Sequence, residues 1–222
     1  IGTFLTDRDF IIAASLRLGL PVTTVDKCVC ESLIDRYALH RLSCNKLASG
    51  RLARHNAIND LISRAFTQAG IPNSSEPRNL SDRDGLRPDG ITLEPWSRGL
   101  PLIWDATVKD SFASSFRHLK PSVNRRAVVT KGESDKRNKY STFLDDHHLV
   151  PFVLDSTGVW GAEALNLIKE LGRRITSRDG NQRAAAFIRQ RVSIEVQRGN
   201  ARMIRGGLPE DDALSELLSL SV

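Results

Sequence analysis

Two aspartates and a short run of cysteines carry the chemistry this sequence has to offer. Leu86-Arg87-Pro88-Asp89-Gly90 and Trp104-Asp105-Ala106-Thr107-Val108 read as two short strands that bring Asp89 and Asp105 to one edge of a sheet. A carboxylate among apolar strand residues is costly to bury unless something pairs with it. A divalent cation between the two is one such partner, because hard cations take carboxylate oxygens. A capped turn at Asp89 and an ion-paired Asp105 is the alternative. Upstream, Cys28-Val29-Cys30 is followed by His40 and Cys44. Three thiolates and an imidazole make a tetrahedral set that zinc accepts, and paired ligands at each end would close a loop with no core of its own. The single residue between Cys28 and Cys30 is a tighter gap than usual. Buried free cysteines with a histidine on a helix face is the other reading.

The composition fits a nucleic-acid partner. Lysine and arginine number 32 against 26 acids in 222 residues, a formal net charge of +6, which favours an acidic ligand. The length suits one large domain with small additions. An odd count of clustered cysteines does not look like a disulfide framework and points to metal in a reducing compartment. No apolar run is long enough to span a bilayer, and no signal peptide opens the chain. The start at Ile1, without an initiating Met, reads as a piece of something longer.

The elements that must position these residues follow from periodicity. Thr6-Asp7-Arg8-Asp9 resembles a capping box for a helix over 10–16, which Leu18-Gly19-Leu20-Pro21 stops. The clearest helix spans 52–70, with Ile58, Leu61, Ile62, Ala65, Phe66 and Ala69 on one stripe and Gly70 closing it. His55, Asn56 and Asn59 near its start read as surface polars. The turn-rich 94–101 suits a β-hairpin between the two aspartate strands. Along the second strand Ile103, Asp105 and Thr107 share one face, and Leu102, Trp104, Ala106 and Val108 the other. Residues 109–129 are mixed. A helix over 133–144 sets Lys136, Lys139 and Tyr140 on adjoining positions, ordinarily a solvated face. Residues 149–155 form a buried strand. Two closing helices carry the stripes Ala164, Leu165, Ile168, Leu171, Ile175 and, over 182–204, Ala185, Ile188, Val192, Val196, Met203. On the second, Arg191, Arg198, Arg202 and Arg205 line another face, able to neutralise phosphates, to remain solvated, or to dock another domain. The tail 209–212 is acidic.

The order of these motifs resembles the C-terminal portion of LINE-type (non-LTR) retrotransposon proteins that carry a restriction-like endonuclease. A cysteine-histidine knuckle, a helix, Glu76, Arg87-Pro88-Asp89, Asp105 on a following strand and a helix bearing Lys139-Tyr140 carry the resemblance over 28–158. Arg54-His55-Asn56 and Arg87-Pro88-Asp89-Gly90 are similar to retroelement-derived proteins of animal genomes as well. The resemblance implies an α/β fold of the restriction-endonuclease-like PD-(D/E)xK type, a central mixed sheet flanked by helices. It implies three parts: a helix and zinc knuckle over 1–50, the nuclease core over 51–160, and helices with an acidic tail over 161–222.

Pro88-Asp89 matches that family's first motif and Asp105 the acid of its second. The lysine expected two positions later is Thr107, which cannot supply the charge. In the retrotransposon branch the lysine sits on the next helix before a tyrosine, which Lys139-Tyr140 matches, with Lys136 one turn earlier as a fallback. Glu76 corresponds to the acid that often precedes the first motif. The resemblance then implies that Asp89 and Asp105 hold Mg²⁺ or Mn²⁺ against a phosphate, with Lys139 orienting the attacking water or offsetting charge and Tyr140 supporting it. It implies zinc on Cys28, Cys30, His40 and Cys44, nucleic-acid contacts from Arg87, Lys136, Arg191, Arg198 and Arg202, and a nuclear protein that nicks target DNA to prime reverse transcription. Its partners would be target DNA, template RNA and the reverse transcriptase domain of the same polypeptide. A nuclease fold that only binds nucleic acid is the alternative that Thr107 keeps open. A resolvase-like nuclease acting on branched DNA is a third.

Overall fold

The fold was obtained as a computed structural model and is described for residues 2–24, 26–77, 80 and 86–206. The acidic stretch 209–212 lies outside them. Four strands form one sheet in the order β1 (Asn73–Ser75), β2 (Gly90–Thr92), β3 (Leu102–Lys109), β4 (His148–Asp155). β1, β2 and β3 run antiparallel, while β3 and β4 run parallel from Leu102 opposite His148 to Lys109 opposite Asp155. The sheet is therefore mixed, with helices on both faces.

The hairpin between the aspartates forms as the turn residues predict. Arg98 and Gly99 both take positive φ, which turns the chain between Ser97 and Leu100. Gly90 opens β2 directly over the Trp104 ring, and a Cβ there would lie 2.0 Å from Trp104 Cζ2. No side chain fits. Gly90→Ala is expected to destabilise the protein by about 3 kcal/mol through this overlap, read as a lowered urea midpoint. An unchanged midpoint would mean that the ring yields.

Strand alternation sorts β3 as its sequence suggests. Leu102, Trp104 and Ala106 enter the main core with Phe152 and Leu154 of β4, under α2 (Ala48–Gln68), α4 (Ala162–Asp179) and α5 (Ala184–Arg205). Trp104 stacks on Phe66 at 4.9 Å. On the opposite face Ile103 packs with Ile91, Tyr140, Phe143 and Leu149 beside α3 (Ala127–Lys139). The α3 helix begins and ends before the 133–144 expected. Val128, Val129 and Gly132 give it a buried face against the sheet, and Tyr140 leaves the helix for the core. The α2 helix likewise starts a turn before residue 52.

The N-terminal helix, α1 (Asp7–Leu18), is capped as expected: the Thr6 hydroxyl accepts from the Asp9 N–H at 3.2 Å, and Gly19 ends the helix at φ 69°. A second core joins Ile12 of α1 with Val22, Ala38 and Leu42 and with Ala201, Met203 and Ile204 of α5. The first fifty residues thus rest on the end of the last helix. Between the two cores runs a polar chain: buried Arg54 donates to Asn200 Oδ1 at 2.5 Å, the Asn200 amide to the Ser156 carbonyl, and the Ser156 hydroxyl to Asp110. Among the described residues no helix is long and apolar enough to cross a membrane.

Candidate active site and metal centre

The two aspartates lie on adjoining segments of the sheet, Asp89 beside α2 and Asp105 beside α3. Asp89 immediately precedes β2; its N–H donates to the Trp104 carbonyl at 2.9 Å, and its Oδ2 accepts the Ala106 N–H at 2.6 Å. Its other oxygen lies 3.1 Å from His55 Nε2 on α2. Asn59, one turn further along, brings Nδ2 within 3.0 Å of that same nitrogen, while its Oδ1 accepts from Trp104 Nε1 at 3.2 Å. The pair read as surface polars is thus part of the carboxylate's surroundings. A polar pair at i, i+4 bordering an apolar stripe, facing a tryptophan that needs an acceptor, is the signal that identifies it.

Asp105 sits in the middle of β3, with its side chain 5% exposed. Lys136 Nζ donates to its Oδ1 at 2.5 Å, and Lys139 Nζ approaches Oδ2 at 3.4 Å. Lys139 also donates to the Tyr140 hydroxyl at 2.8 Å, and Tyr140 donates to the Arg87 carbonyl at 2.9 Å. Both lysines named by the resemblance reach Asp105. Lys136 is nearer and only 17% exposed, against 45% for Lys139. Thr107 adds no charge.

The electrostatics follow from this packing. The Asp89 hydrogen bond raises the His55 pKa above 6.5 against the effect of burial. Burial would raise the Asp89 carboxyl, but the His55 bond and charge and the Ala106 N–H outweigh it, leaving the pKa below 3.8. Burial, reinforced by both aspartates, raises the Tyr140 phenol and keeps it protonated. The His55 contribution to stability is fully present below pH 6.5 and disappears as pH rises through the raised folded value. The Asp89 contribution is present above 3.8 and disappears as pH falls through the depressed one. The melting temperature of His55→Gln should therefore lie about 2 °C below wild type between pH 4 and 6.5, after discounting for partial exposure. The gap should close at higher pH. A gap independent of pH would refute the ion pair.

The other expected site residues make contacts of their own. The Glu76 carboxylate turns away to Arg87 Nη2 at 2.5 Å, and Arg87 also donates to the Glu76 carbonyl. Arg198 donates to the Phe4 carbonyl at 2.5 Å and pairs with Glu195, and Arg205 pairs with Asp9 at 2.9 Å. Arg191 stacks over Phe187 against the backbone of Gly2, leaving Arg202 exposed. Much of that arginine face is engaged with the N-terminal segment.

Cys28, Cys30, His40 and Cys44 form a second cluster, their ligand atoms all within 4.8 Å of one another. A tight turn carries the first two, with the Cys28 N–H donating to the Ser32 carbonyl and the Glu31 N–H to the Cys28 carbonyl. Two short 3-10 turns supply His40 and Cys44. Cys28 and Cys44 Sγ lie 3.7 Å apart, close to the edge of about 3.8 Å in a tetrahedron of zinc–sulfur bonds near 2.3 Å. Cys30 Sγ is 3.1 Å from His40 Nε2. The Ser32 hydroxyl, the Ser32 backbone and His40 lower the Cys30 thiol to about 6, toward the thiolate a metal takes. The four side chains could hold a metal such as zinc. Buried Arg41 ties the loop down, donating to the Ile204 carbonyl at 2.6 Å and the Lys27 carbonyl at 3.3 Å.

No family model matches the chain, and no curated protein matches it. The geometry nonetheless brings Asp89, Asp105, Lys136, Lys139 and Tyr140 together, adds His55 and Asn59, and leaves the Glu76 carboxylate outside.

Proposed function

We propose that this chain is a metal-dependent DNA endonuclease, the restriction-like nuclease portion of a LINE-type non-LTR retrotransposon protein, acting in the nucleus to nick target DNA and prime reverse transcription. The observation that carries this reading is the convergence of Lys136 and Lys139 from α3 on Asp105, beside Asp89 from the neighbouring strand. Asp89 and Asp105 are the residues that would hold Mg²⁺ or Mn²⁺, which when bound would polarise the phosphate and lower the pKa of a bound water. Lys136 and Lys139 offset the charge that grows on the phosphorane. Tyr140, anchored on the Arg87 carbonyl, holds Lys139 in place. His55 and Asn59 orient Asp89. The Cys28, Cys30, His40, Cys44 set takes zinc and stiffens the segment between the nuclease and the reverse transcriptase domain that would precede it, with target DNA and template RNA as partners.

A second reading, a nuclease fold that binds nucleic acid without cutting it, is favoured by Thr107 and by the engagement of Asp105 with both lysines. Incubation with supercoiled plasmid separates the two. Nicking that requires Mg²⁺ or Mn²⁺ and stops in EDTA establishes the first. Binding with no nicking in either metal establishes the second.

A further inference from the structure

A cleft of about 970 Å³ opens beyond the C-terminal ends of β3 and β4, between α1, α5 and the loop that leads into α3. Its walls include Arg17, Arg117, Lys120 and Arg125, all exposed. Its one acid, Asp155, is 1% exposed and accepts hydrogen bonds from the Ser111 and Thr157 hydroxyls and the Thr157 and Val159 N–H groups. The carboxylate is therefore fully occupied, and the surface that a ligand meets is cationic. The charge is concentrated by the sequence as well, since 111–132 holds no Asp or Glu. Two apolar side chains stand open in the same walls, Phe112 at 46% exposed and Val123 at 83%.

We propose that this cleft binds an unpaired stretch of nucleic acid. Cations spaced along a groove follow a phosphate backbone, and an exposed ring accepts the face of a base whatever its identity. In a duplex the base faces are stacked away, so Phe112 would have nothing to receive. The cleft lies at the start of α3 and the Asp105 site at its end, about 20 Å along the helix axis. This proposal does not depend on the chain being able to cut.

The test is fluorescence anisotropy in EDTA with the full chain and a labelled mixed-sequence 20-nucleotide strand, as DNA and as RNA, and the corresponding DNA duplex. Tighter binding of either single strand than of the duplex is expected, and the tighter of the two identifies its source. Combined Arg117→Ala, Lys120→Ala and Arg125→Ala should weaken single-strand binding and reduce the log–log salt slope by about 2. Phe112→Ala should weaken it about tenfold with the slope unchanged, and Phe112→Trp should restore it. Circular dichroism checks that each variant folds. Variants that bind as wild type, or a duplex that binds as tightly as either strand, overturn the proposal. A chain that binds in the cleft but never nicks supports it and refutes the nuclease reading. A chain that nicks while binding ignores the three cations overturns this proposal alone.

Discussion

If the chain is the nuclease proposed above, Asp89→Ala and Asp105→Ala are each expected to lower Mg²⁺-dependent plasmid nicking by about 10³-fold or more, since each would remove an anionic ligand from the ion that would activate water and phosphate. The lysines should divide unequally. Lys136 is the closer and more buried partner of Asp105, so Lys136→Met should cost about 10²-fold, and Lys139→Met about tenfold. Lys136→Met also leaves a buried carboxylate with one weaker partner, which can lower stability by about 3 kcal/mol. Rates are therefore compared well below each variant's melting temperature, with Lys136→Arg as the charge-preserving control. If Lys139→Met is the more damaging, the ion-pair distances have misidentified the working lysine. If all four variants nick like wild type, the paired aspartates are not the catalytic centre.

Removal of zinc is expected to have the largest effect on stability. The preparation should contain one zinc per chain by elemental analysis, and Cys44→Ser should lose most of it. A chelator strong enough to strip the ion should lower the melting temperature by at least about 10 °C, because the binding energy of a structural zinc is folding energy. A three-thiolate zinc site carries net negative charge, and Arg41 sits against it: burial lowers the guanidinium's pKa, while Cys28 and Cys44 oppose that shift. Arg41→Met should therefore hasten zinc release to a chromogenic chelator even in folded protein. A chain free of zinc as purified, and unmoved by chelation, would return the four residues to free cysteines beside a histidine.

Much of this was legible in the residues. The alternation of Ile103, Asp105 and Thr107 against Leu102, Trp104 and Ala106 is a two-residue period with unmistakable apolar content, and it places Asp105 on the α3 side. The ligand spacing at Cys28 and Cys44 stood out because cysteine is scarce in the chain. Other features had no such signature. The β1 strand is Asn73-Ser74-Ser75, polar throughout, and it forms through backbone pairing with β2 and through Asn73 bonded to Ser63 on α2. The start of α3 falls in the mixed stretch 109–129, where no period stands out, and the burial of Val128 and Val129 is a tertiary effect. His55 and Asn59 looked like solvent-facing polars because the groups that occupy them, Asp89 and Trp104, lie 34 and 45 residues away in the chain.

The last helix also bears on how such a protein can evolve. Ile188, Val192 and Val196 of α5 support the sheet, whereas Ala201, Met203 and Ile204 of the same helix support the cysteine loop. A recombination junction near residue 50 would look harmless in the sequence, yet it would strip the cover from the far end of α5. The cysteine-histidine segment and the sheet therefore share α5 as a common cover. Exchange of either part between lineages must carry a matching α5 with it.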